Sequence, residues 1–273
     1  MPELPEVETI ARFLREGGRG QDSILYAVIS RSELTWLRTL SVPRNPSELE
    51  ARLPGQKIMQ IGRRGKYLLL HLDRDTLLFH LRMSGDLIVS RSDELPGPYY
   101  RFFMDFTDGR RLAFDDARKF GRIWLTAEPG VVLSSLGPEP LGPEFTSDWL
   151  YSQLQSRRRQ LKPLLLDQSF IAGIGNIYAD EALFRARLHP LRQSASLTRD
   201  DAERLRQAIQ DSLAEGIARE GASIDWVYRG GEFQNHFNVY QRTAEPCPRC
   251  GTPIERIVVG QRGTHFCPKC QLL

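Results

Sequence analysis

The 273-residue sequence predicts an α+β multidomain protein. An N-terminal helical pattern is followed by many short β-type segments with tight turns between them, which is typical of a β-sandwich or barrel. Helical patterns come next, after a stretch rich in proline and glycine, and all four cysteines lie at or beyond residue 247. We therefore expect an N-terminal β-sandwich with flanking helices, a helical second domain and a C-terminal β-hairpin that holds the cysteines.

The first helix is predicted from its ends and its periodicity. Pro5 and Glu6 are favoured near a helix start, where proline fits the first turn and a carboxylate faces the positive end of the helix dipole. Apolar residues then recur with helical spacing from Val7 to Leu14, and the pair Gly17-Gly18 ends the pattern. The N-terminus is thus expected to be held by a short amphipathic helix.

The segment from residue 24 to about residue 126 is predicted to be β-structure. The turn at 107–110, with sequence Thr-Asp-Gly-Arg, is typical of a β-hairpin. The predicted strands are residues 25–29, 57–61, 67–72, 77–81, 87–89, 102–106, 111–114 and 123–126.

Residues 128–147 are rich in proline and glycine, which favours a domain boundary there. We predict a β-sandwich domain at 1–130, a linker at 131–147, a helical domain at 148–240 and a cysteine hairpin at 241–273. Within the helical domain, helices are expected at 147–166, 176–186 and 198–220.

Composition restricts the function only weakly. The formal charge of +3 and the isoelectric point near 8.7 permit a polyanionic partner without requiring one. The N-terminus is acidic and lacks the apolar core of a signal peptide, and the apolar stretches are too short to span a bilayer. We expect a cytoplasmic protein, in which clustered cysteines indicate a metal site rather than disulfides.

The cysteines form two C-x2-C pairs, Cys247 with Cys250 and Cys267 with Cys270. Two such pairs on a hairpin can supply four thiolates to a tetrahedral Zn²⁺ and leave no open coordination position for catalysis. We therefore predict one structural zinc, no organic cofactor, and a zinc-finger β-hairpin.

Arg262 lies between the cysteine pairs, at the expected tip of this hairpin. An arginine there is suited to a phosphodiester or a nucleic-acid groove, and an ordinary solvated turn is the alternative interpretation. His265 is expected to pack or form hydrogen bonds rather than to bind the metal.

Two positions have nucleophilic or general acid potential. Removal of Met1 would expose the secondary amine of Pro2, and an α-amine with a pKa of about 8 is more often neutral at pH 7 than a lysine with a pKa of about 10.4. Glu3 is placed to transfer protons, although a proline after the initiator is common without any catalytic role. Lys66 stands in the arginine-rich run Arg63-Arg-Gly-Lys66 and can perform chemistry that a guanidinium cannot.

Three further segments combine glycine with residues suited to nucleic acid. Asn176 follows a glycine turn and is expected to cap the next helix, where backbone N–H groups favour a phosphate. Met83, Arg118 and Phe120 stand beside glycines at strand ends, with shapes suited to entering a base stack. A core location for Met83 and Phe120 is the alternative.

Taken together, the motifs at 1–9, 63–68, 80–85, 136–141 and 173–179 and the four-cysteine finger closely resemble those of the formamidopyrimidine-DNA glycosylase family. The resemblance implies that the helical domain is a helix-two-turn-helix DNA-binding domain and that the N-terminal β-sandwich is the catalytic domain. It implies excision of oxidised purines such as 8-oxoguanine and formamidopyrimidines, followed by strand cleavage. The implied partner is double-stranded DNA with an oxidised base or an abasic site, bound by a monomer.

The resemblance also implies residue roles. Pro2 forms a Schiff base, Glu3 acts as the acid, Lys66 assists β-elimination and Arg262 assists δ-elimination. The implied DNA-binding residues are Met83, Tyr99, Arg118, Phe120, Arg157, Lys162 and Asn176. Of these, Arg118 would read the cytosine opposite the lesion.

The sequence departs from the family pattern in three places. Ala117 and Lys119 stand where the family usually has proline and arginine, which is expected to loosen that loop. Tyr99 stands where a DNA-contacting histidine is frequent. The segment at 224–233 is shorter than the usual lesion-capping loop.

Three other functions remain open. An endonuclease VIII-like glycosylase for oxidised pyrimidines would generally lack the set of Met83, Arg118 and Phe120. A non-catalytic protein that binds damaged DNA would not need Pro2 or Glu3. A zinc-ribbon RNA or protein adaptor is the third alternative.

Overall fold

The computed structural model describes residues 1–18, 22–223 and 230–273. The chain forms two compact units, one containing Met1–Ser134 and the other containing Ser135–Ala222 and Gly231–Leu273. The first unit comprises α1 (Leu4–Glu16), β1 (Ile29–Leu34), β2 (Leu40–Val42), α2 (Pro46–Arg52), β3 (Ile58–Arg64), β4 (Tyr67–Leu72), β5 (Thr76–His80), β6 (Gly85–Arg91), β7 (Tyr100–Phe106), β8 (Arg110–Asp116), β9 (Arg122–Thr126) and α3 (Gly130–Leu133).

The strands of the first unit form two sheets around one apolar core. One sheet has the order β1-β7-β8-β6 and the other the order β2-β9-β5-β4-β3. The ring of Phe79 on β5 lies 5.6 Å from that of Phe114 on β8 and 6.2 Å from that of Phe102 on β7, so the sheets meet through aromatic contacts. Val7 and Leu14 of α1 are buried in the same core. The predicted β-sandwich with flanking helices is confirmed.

The prediction of a strand at 25–29 was wrong in position. Tyr26 has φ +67, which belongs to a turn, and β1 begins only at Ile29. Most residues of β1 are exposed or half-buried, so the strand lacks the apolar alternation that reveals a buried strand. The short elements β2, α2 and α3 were not predicted.

The second unit is helical, with a β-hairpin after its last helix. Within the described ranges, no helix combines the length and apolarity needed to cross a bilayer. The division of this unit at residue 240, and the other predicted domain boundaries, remain proposals from the sequence. Its elements are α4 (Ser147–Ser156), α5 (Leu161–Leu165), α6 (Asn176–Ala186), α7 (Arg199–Ala218), β10 (Glu255–Val259) and β11 (Arg262–Phe266).

The single helix predicted at 147–166 is two helices. Pro163 has no N–H to donate to a carbonyl four residues earlier, and its ring would clash with that carbonyl in a continuous helix. The chain therefore leaves the helix at Arg157 and begins again at Leu161, which places Pro163 in the first turn of α5.

Helix α6 attaches the segment that precedes the hairpin through one carboxylate. Glu181 is fully buried and accepts hydrogen bonds from the backbone N–H groups of Asn238, Val239 and Tyr240 at 2.9–3.0 Å. The side-chain amide of Asn238 donates a further bond at 2.9 Å. These donors replace the water that the buried carboxylate loses.

We expect Glu181→Gln to destabilise the second unit by about 1–3 kcal/mol, because an amide nitrogen cannot accept the bonds that the lost carboxylate oxygen accepted. Urea unfolding and hydrogen exchange of residues 238–240 would measure the effect. Glu203→Gln is the matched control, since Glu203 lies in α7 and is exposed. Equal protection of residues 238–240 in the wild type and Glu181→Gln would contradict the anchoring role.

Candidate functional site

The start of the chain is held at the N-terminal end of α1. Met1 is 46% exposed, whereas Pro2 and Glu3 are buried. The backbone N–H of Glu3 donates to Glu6 Oε2 at 2.8 Å, one half of a capping box at the helix start. The exposed Met1 is thus followed by a buried Pro2 at the capped start of α1.

Two contacts orient α1 along β3. Near the end of the helix, Arg15 Nη1 donates to the Ile61 carbonyl at 3.3 Å, and further toward its start, Glu8 pairs with Arg63 at 2.9 Å. Helix and strand therefore run in opposite directions, because the earlier helix residue contacts the later strand residue. Followed back from Glu8, α1 leads toward its start. Followed forward from Arg63, β3 leads in the same direction, to the turn that holds Lys66.

Lys66 lies in the two-residue turn between β3 and β4, which pair through Arg64 and Tyr67. Gly65 has φ +57, a conformation that favours glycine at this position of a tight hairpin. Lys66 is only 5% exposed. The direction of the two elements therefore points the start of α1 toward the turn that holds the buried Lys66.

His80, at the end of β5, is neutral in this setting. Burial, together with the positive charges of Arg82 and Lys66, lowers the pKa of His80 from 6.5 to about 3. Its Nδ1 accepts the backbone N–H of Arg82 at 3.1 Å. A neutral imidazole beside Lys66 adds no positive charge to the site.

The predicted inserting residues lie on neighbouring connections of the sandwich. Met83 is half-buried in the turn from β5 to β6, and Arg118 and Phe120 are exposed in the loop from β8 to β9. Phe120 is 50% exposed, so it is not a core residue. The guanidinium carbon of Arg118 lies 5.5 Å from the centre of the Phe120 ring. The exposed Tyr99 lies beside the same loop, because its carbonyl accepts the N–H of Asp116 at 2.9 Å.

Lys119 explains how this loop is held without its usual proline. Its backbone has φ +61, and its Nζ lies 4.0 Å from the centre of the Trp36 ring, a cation–π contact. The sequence led us to expect that Ala117 and Lys119 loosen this loop. That expectation did not include the contact of Lys119 with Trp36, which lies far away in the chain and has no local sequence pattern.

In the second unit, the prediction that Lys162 contacts DNA is wrong. Its side chain has no exposed surface, its Nζ is paired with Asp180, and it donates to the Asn176 carbonyl at 3.0 Å. The buried ammonium bonds groups inside the protein and holds the start of α6. Lys162 is a positioning residue. The half-buried Arg157 instead lies over the Phe170 ring at 5.9 Å.

Asn176 does not cap α6 as expected. Gly175 occupies the cap position, and the side-chain amide of Asn176 donates to the Gly263 carbonyl at 3.0 Å. The N–H of Gly173 in the preceding turn donates to Gln168 Oε1 at 2.9 Å, so that amide is not available to a phosphate. Asn176 instead fixes the residue that follows the exposed Arg262.

Arg262 begins β11, directly after the turn Gly260-Gln261. Both turn residues have positive φ, at 56° and 62°, as a two-residue type I′ hairpin requires. The predicted hairpin tip is therefore confirmed. His265 bonds Asp180 through its backbone N–H at 3.0 Å and contacts the same carboxylate through Nδ1, which agrees with a structural role.

The four cysteines form a metal site that fits zinc. Their sulfur atoms all lie within 4.8 Å of one another, and the pairs Cys250–Cys267 and Cys247–Cys270 are 3.5 and 3.9 Å apart. A tetrahedral Zn²⁺ with bonds of about 2.3 Å separates its sulfurs by about 3.8 Å. The predicted structural zinc site is confirmed.

The thiols also need the charge of the metal. Hydrogen bonds from Thr252 lower the pKa of Cys250 to about 6, whereas burial and the neighbouring thiols raise the pKa of Cys270 to about 12. Four thiolates so close together cannot coexist near neutral pH without a compensating cation.

Sequence reasoning missed Ser84, Asp116 and Asp180. Each forms side-chain hydrogen bonds to residues far away in the chain, and such bonds have no periodic or spacing signature. The only sequence signal for Ser84 and Asp116 was their position within the motifs around Met83 and Arg118. The predicted short segment at 224–233 includes residues 224–229, which lie outside the described residues.

The comparisons with known proteins cover the whole chain. Family models match residues 1–123 as the formamidopyrimidine-DNA glycosylase N-terminal domain, 136–227 as its H2TH domain and 244–272 as a zinc finger found in FPG and IleRS. The chain is 48% identical to a formamidopyrimidine-DNA glycosylase from Chloroflexus aggregans over 100% of its length and 99% of the relative. It is 42% identical to one from Bacillus licheniformis over 99% of both.

The chain is also similar to solved structures of the same family. Lactococcus lactis Fpg bound to DNA with an N7-benzyl-Fapy-dG is 35% identical with a TM-score of 0.91, and 100% of each chain is covered. A complex of MutM with DNA containing carbocyclic 8-oxo-G is 36% identical with a TM-score of 0.90, again over 100% of both chains.

Removal of zinc is expected to unfold the β10–β11 hairpin, because the thiolates repel one another without the cation and metal binding is coupled to folding. Metal analysis should find one zinc per chain. After chelation, hydrogen exchange should show loss of protection at residues 255–266. Added Zn²⁺, but not Mg²⁺, should restore it. Full protection of the hairpin in zinc-free protein would contradict this role.

The first unit is expected to lose stability in acid partly through His80. The pKa of His80 is lower in the folded state than in the unfolded chain, so the unfolded chain binds more protons between pH 6.5 and about 3. The free energy of unfolding therefore does not depend on the His80 proton above pH 6.5. Below pH 6.5 it decreases, through this group, by about 1.4 kcal/mol per pH unit. Urea unfolding at several pH values should show a shallower decline for His80→Gln. An identical decline would contradict the assignment.

Proposed function

The chain belongs to the formamidopyrimidine-DNA glycosylase family, and from this premise we propose that it excises oxidised purines from double-stranded DNA and then cleaves the strand. The observation that supports this most directly is the start of the chain. Met1 is exposed next to the buried Pro2, and the contacts of α1 with β3 point the start of the helix toward the turn that holds Lys66. The activity is that of a bifunctional glycosylase and abasic-site lyase.

The first step needs removal of Met1, which turns Pro2 into a secondary amine. Its nitrogen lone pair attacks C1′ of the damaged nucleotide, and the bond from C1′ to the base breaks with its electron pair leaving on the base. The proton that the Pro2 nitrogen loses balances the proton that the departing base takes up. Opening of the sugar ring then produces a cationic iminium at Pro2. Glu3, adjacent in the chain, would donate the proton that the ring oxygen takes up.

Strand cleavage follows from the positive charge of the iminium. The charge acidifies the C2′ hydrogen, so its removal expels the 3′ phosphate by β-elimination, and a second elimination expels the 5′ phosphate. The buried Lys66 is suited to assist the first step as a compact cation close to the reacting sugar. The exposed Arg262, held by the contact of Asn176 with Gly263, is suited to the second.

Recognition of the lesion is assigned to the residues beside the sandwich turns. The exposed Phe120 and the half-buried Met83 can fill the space left by an everted nucleotide, and Arg118 can hydrogen-bond the orphaned cytosine. Tyr99 and Arg157 are proposed as additional DNA contacts. Structural zinc supplies no chemistry to the reaction and keeps the hairpin of Arg262 folded.

Strand cleavage of duplexes with 8-oxoguanine opposite each base tests the proposal. The wild type should cut best opposite cytosine, and borohydride should trap a covalent adduct on the N-terminal peptide. Pro2→Gly should reduce excision and trapping, because it replaces the ring amine with a primary amine on a flexible residue. Glu3→Gln should bind the duplex but excise at least about a hundredfold more slowly, as expected for loss of a general acid.

Two outcomes would contradict the proposal. Active protein that retains Met1 would exclude Pro2 as the nucleophile. Faster excision of an oxidised pyrimidine than of 8-oxoguanine would favour an endonuclease VIII-like activity instead.

A further inference from the structure

Asp116 is the last residue of β8, and its side chain is fully buried. The hydroxyl of Ser84 donates to Asp116 Oδ1, and the backbone N–H of Gly121 donates to Asp116 Oδ2 at 2.7 Å. Ser84 follows Met83 in its turn, and Gly121 follows Phe120 in its loop. One carboxylate therefore joins the two connections that present the proposed inserting residues.

Further hydrogen bonds extend this arrangement to the neighbouring segments. The N–H of Arg118 donates to Ser84 Oγ at 3.2 Å, so the hydroxyl is donor and acceptor at once. The N–H of Asp116 donates to the Tyr99 carbonyl at 2.9 Å, and Arg101 Nε donates to the Asp116 carbonyl at 2.8 Å. The side chain and backbone of Asp116 thus hold the segments that carry Met83, Tyr99, Arg118 and Phe120.

The partners of Asp116 differ from those of the other buried carboxylate in this sheet. Asp105, another buried carboxylate in the same sheet, is ion-paired with Arg111 at 2.6 Å and with Arg31 at 2.7 Å. In the part of the chain that the structure describes, Asp116 has hydrogen-bond donors but forms no ion pair. Burial of a carboxylate without a counter-charge costs free energy, and the hydrogen-bond donors that surround it are held in a fixed geometry.

Gly121 shows how closely the loop is drawn to this carboxylate. A Cβ at this position would lie 2.2 Å from Phe114 Cζ and 3.1 Å from Asp116 Oδ2. Only glycine can therefore bring its N–H to the carboxylate here. The backbone after Phe120 is set by Asp116 and by the core aromatic Phe114 together.

We propose that Asp116, through Ser84, is a positioning residue that makes Met83, Arg118 and Phe120 one preorganised element for filling a duplex from which a nucleotide has been everted. The inference rests on the proposed function and adds a residue that touches neither the substrate nor the reacting atoms. It follows that Asp116 determines how well the protein distinguishes the base opposite the lesion, since Arg118 reads that base from a loop whose position Asp116 sets.

The test uses the full-length, zinc-loaded protein with Asp116→Asn and, as a milder second variant, Ser84→Ala. Two rates are compared in single turnover: excision of 8-oxoguanine from a duplex and cleavage of an abasic site in single-stranded DNA, which has no opposite base to read. We expect the ratio of these rates to fall about tenfold in Asp116→Asn, as a small misplacement of a contacting group can cause. Ser84→Ala should shift the ratio in the same direction by less.

Asp105→Asn is the matched control, because it removes a buried charge from the same sheet without touching either connection. It should lower thermal stability while the ratio stays that of the wild type. Preference for cytosine opposite 8-oxoguanine should weaken in Asp116→Asn and Ser84→Ala only.

A probe without chemistry separates this inference from the proposed function. The fluorescence of 2-aminopurine placed opposite the lesion reports insertion, and the signal should be smaller for Ser84→Ala than for wild type at saturating protein. Equal signals and equal rate ratios in wild type and both variants would overturn the inference. A normal fluorescence response from a wild type that cleaves nothing would overturn the proposed function instead.

Discussion

A carboxylate removed from water must be surrounded by hydrogen-bond donors, and this constraint determines how the functional loops are attached to both units. Glu181 accepts three consecutive backbone N–H groups from the segment before the hairpin. Asp180, next to it on α6, accepts from His265 and pairs with Lys162. In the sandwich, Asp116 accepts from Ser84 and Gly121. Each buried acid binds segments that are distant in sequence, and loss of any donor would leave part of a charge unsatisfied.

The same constraint bears on the proposed nucleophile, Pro2. Chain termini are usually mobile, so a terminal nucleophile requires restraint. Here Glu6 holds the backbone of Glu3, and Glu8 holds Arg63, which is three residues before Lys66 in the sequence. The restraint of α1 by its own carboxylates gives Pro2 a defined position without covering Met1.

The zinc hairpin depends on α6 as much as on its metal. Phe184 packs against Cys247 and Cys267 in a small apolar cluster, and Asn176 at the other end of the helix holds the strand beside Arg262. Zinc closes the base of the hairpin while α6 fixes its tip. The metal site and α6 together therefore set the position of Arg262.

The sequence by itself determined the features that need only neighbouring residues: the β-sandwich, the capped α1, the spacing of the zinc ligands from Cys247 to Cys270, and the tip position of Arg262. Tertiary structure decided which polar groups are used internally, since those bonds join positions far apart in the chain. It buried Lys162 against Asp180, turned Asn176 from a helix cap into a support of the hairpin, and made Asp116 the common anchor of two loops. Local propensity cannot reveal such bonds, because a donor and an acceptor become neighbours only after the core has brought their elements together.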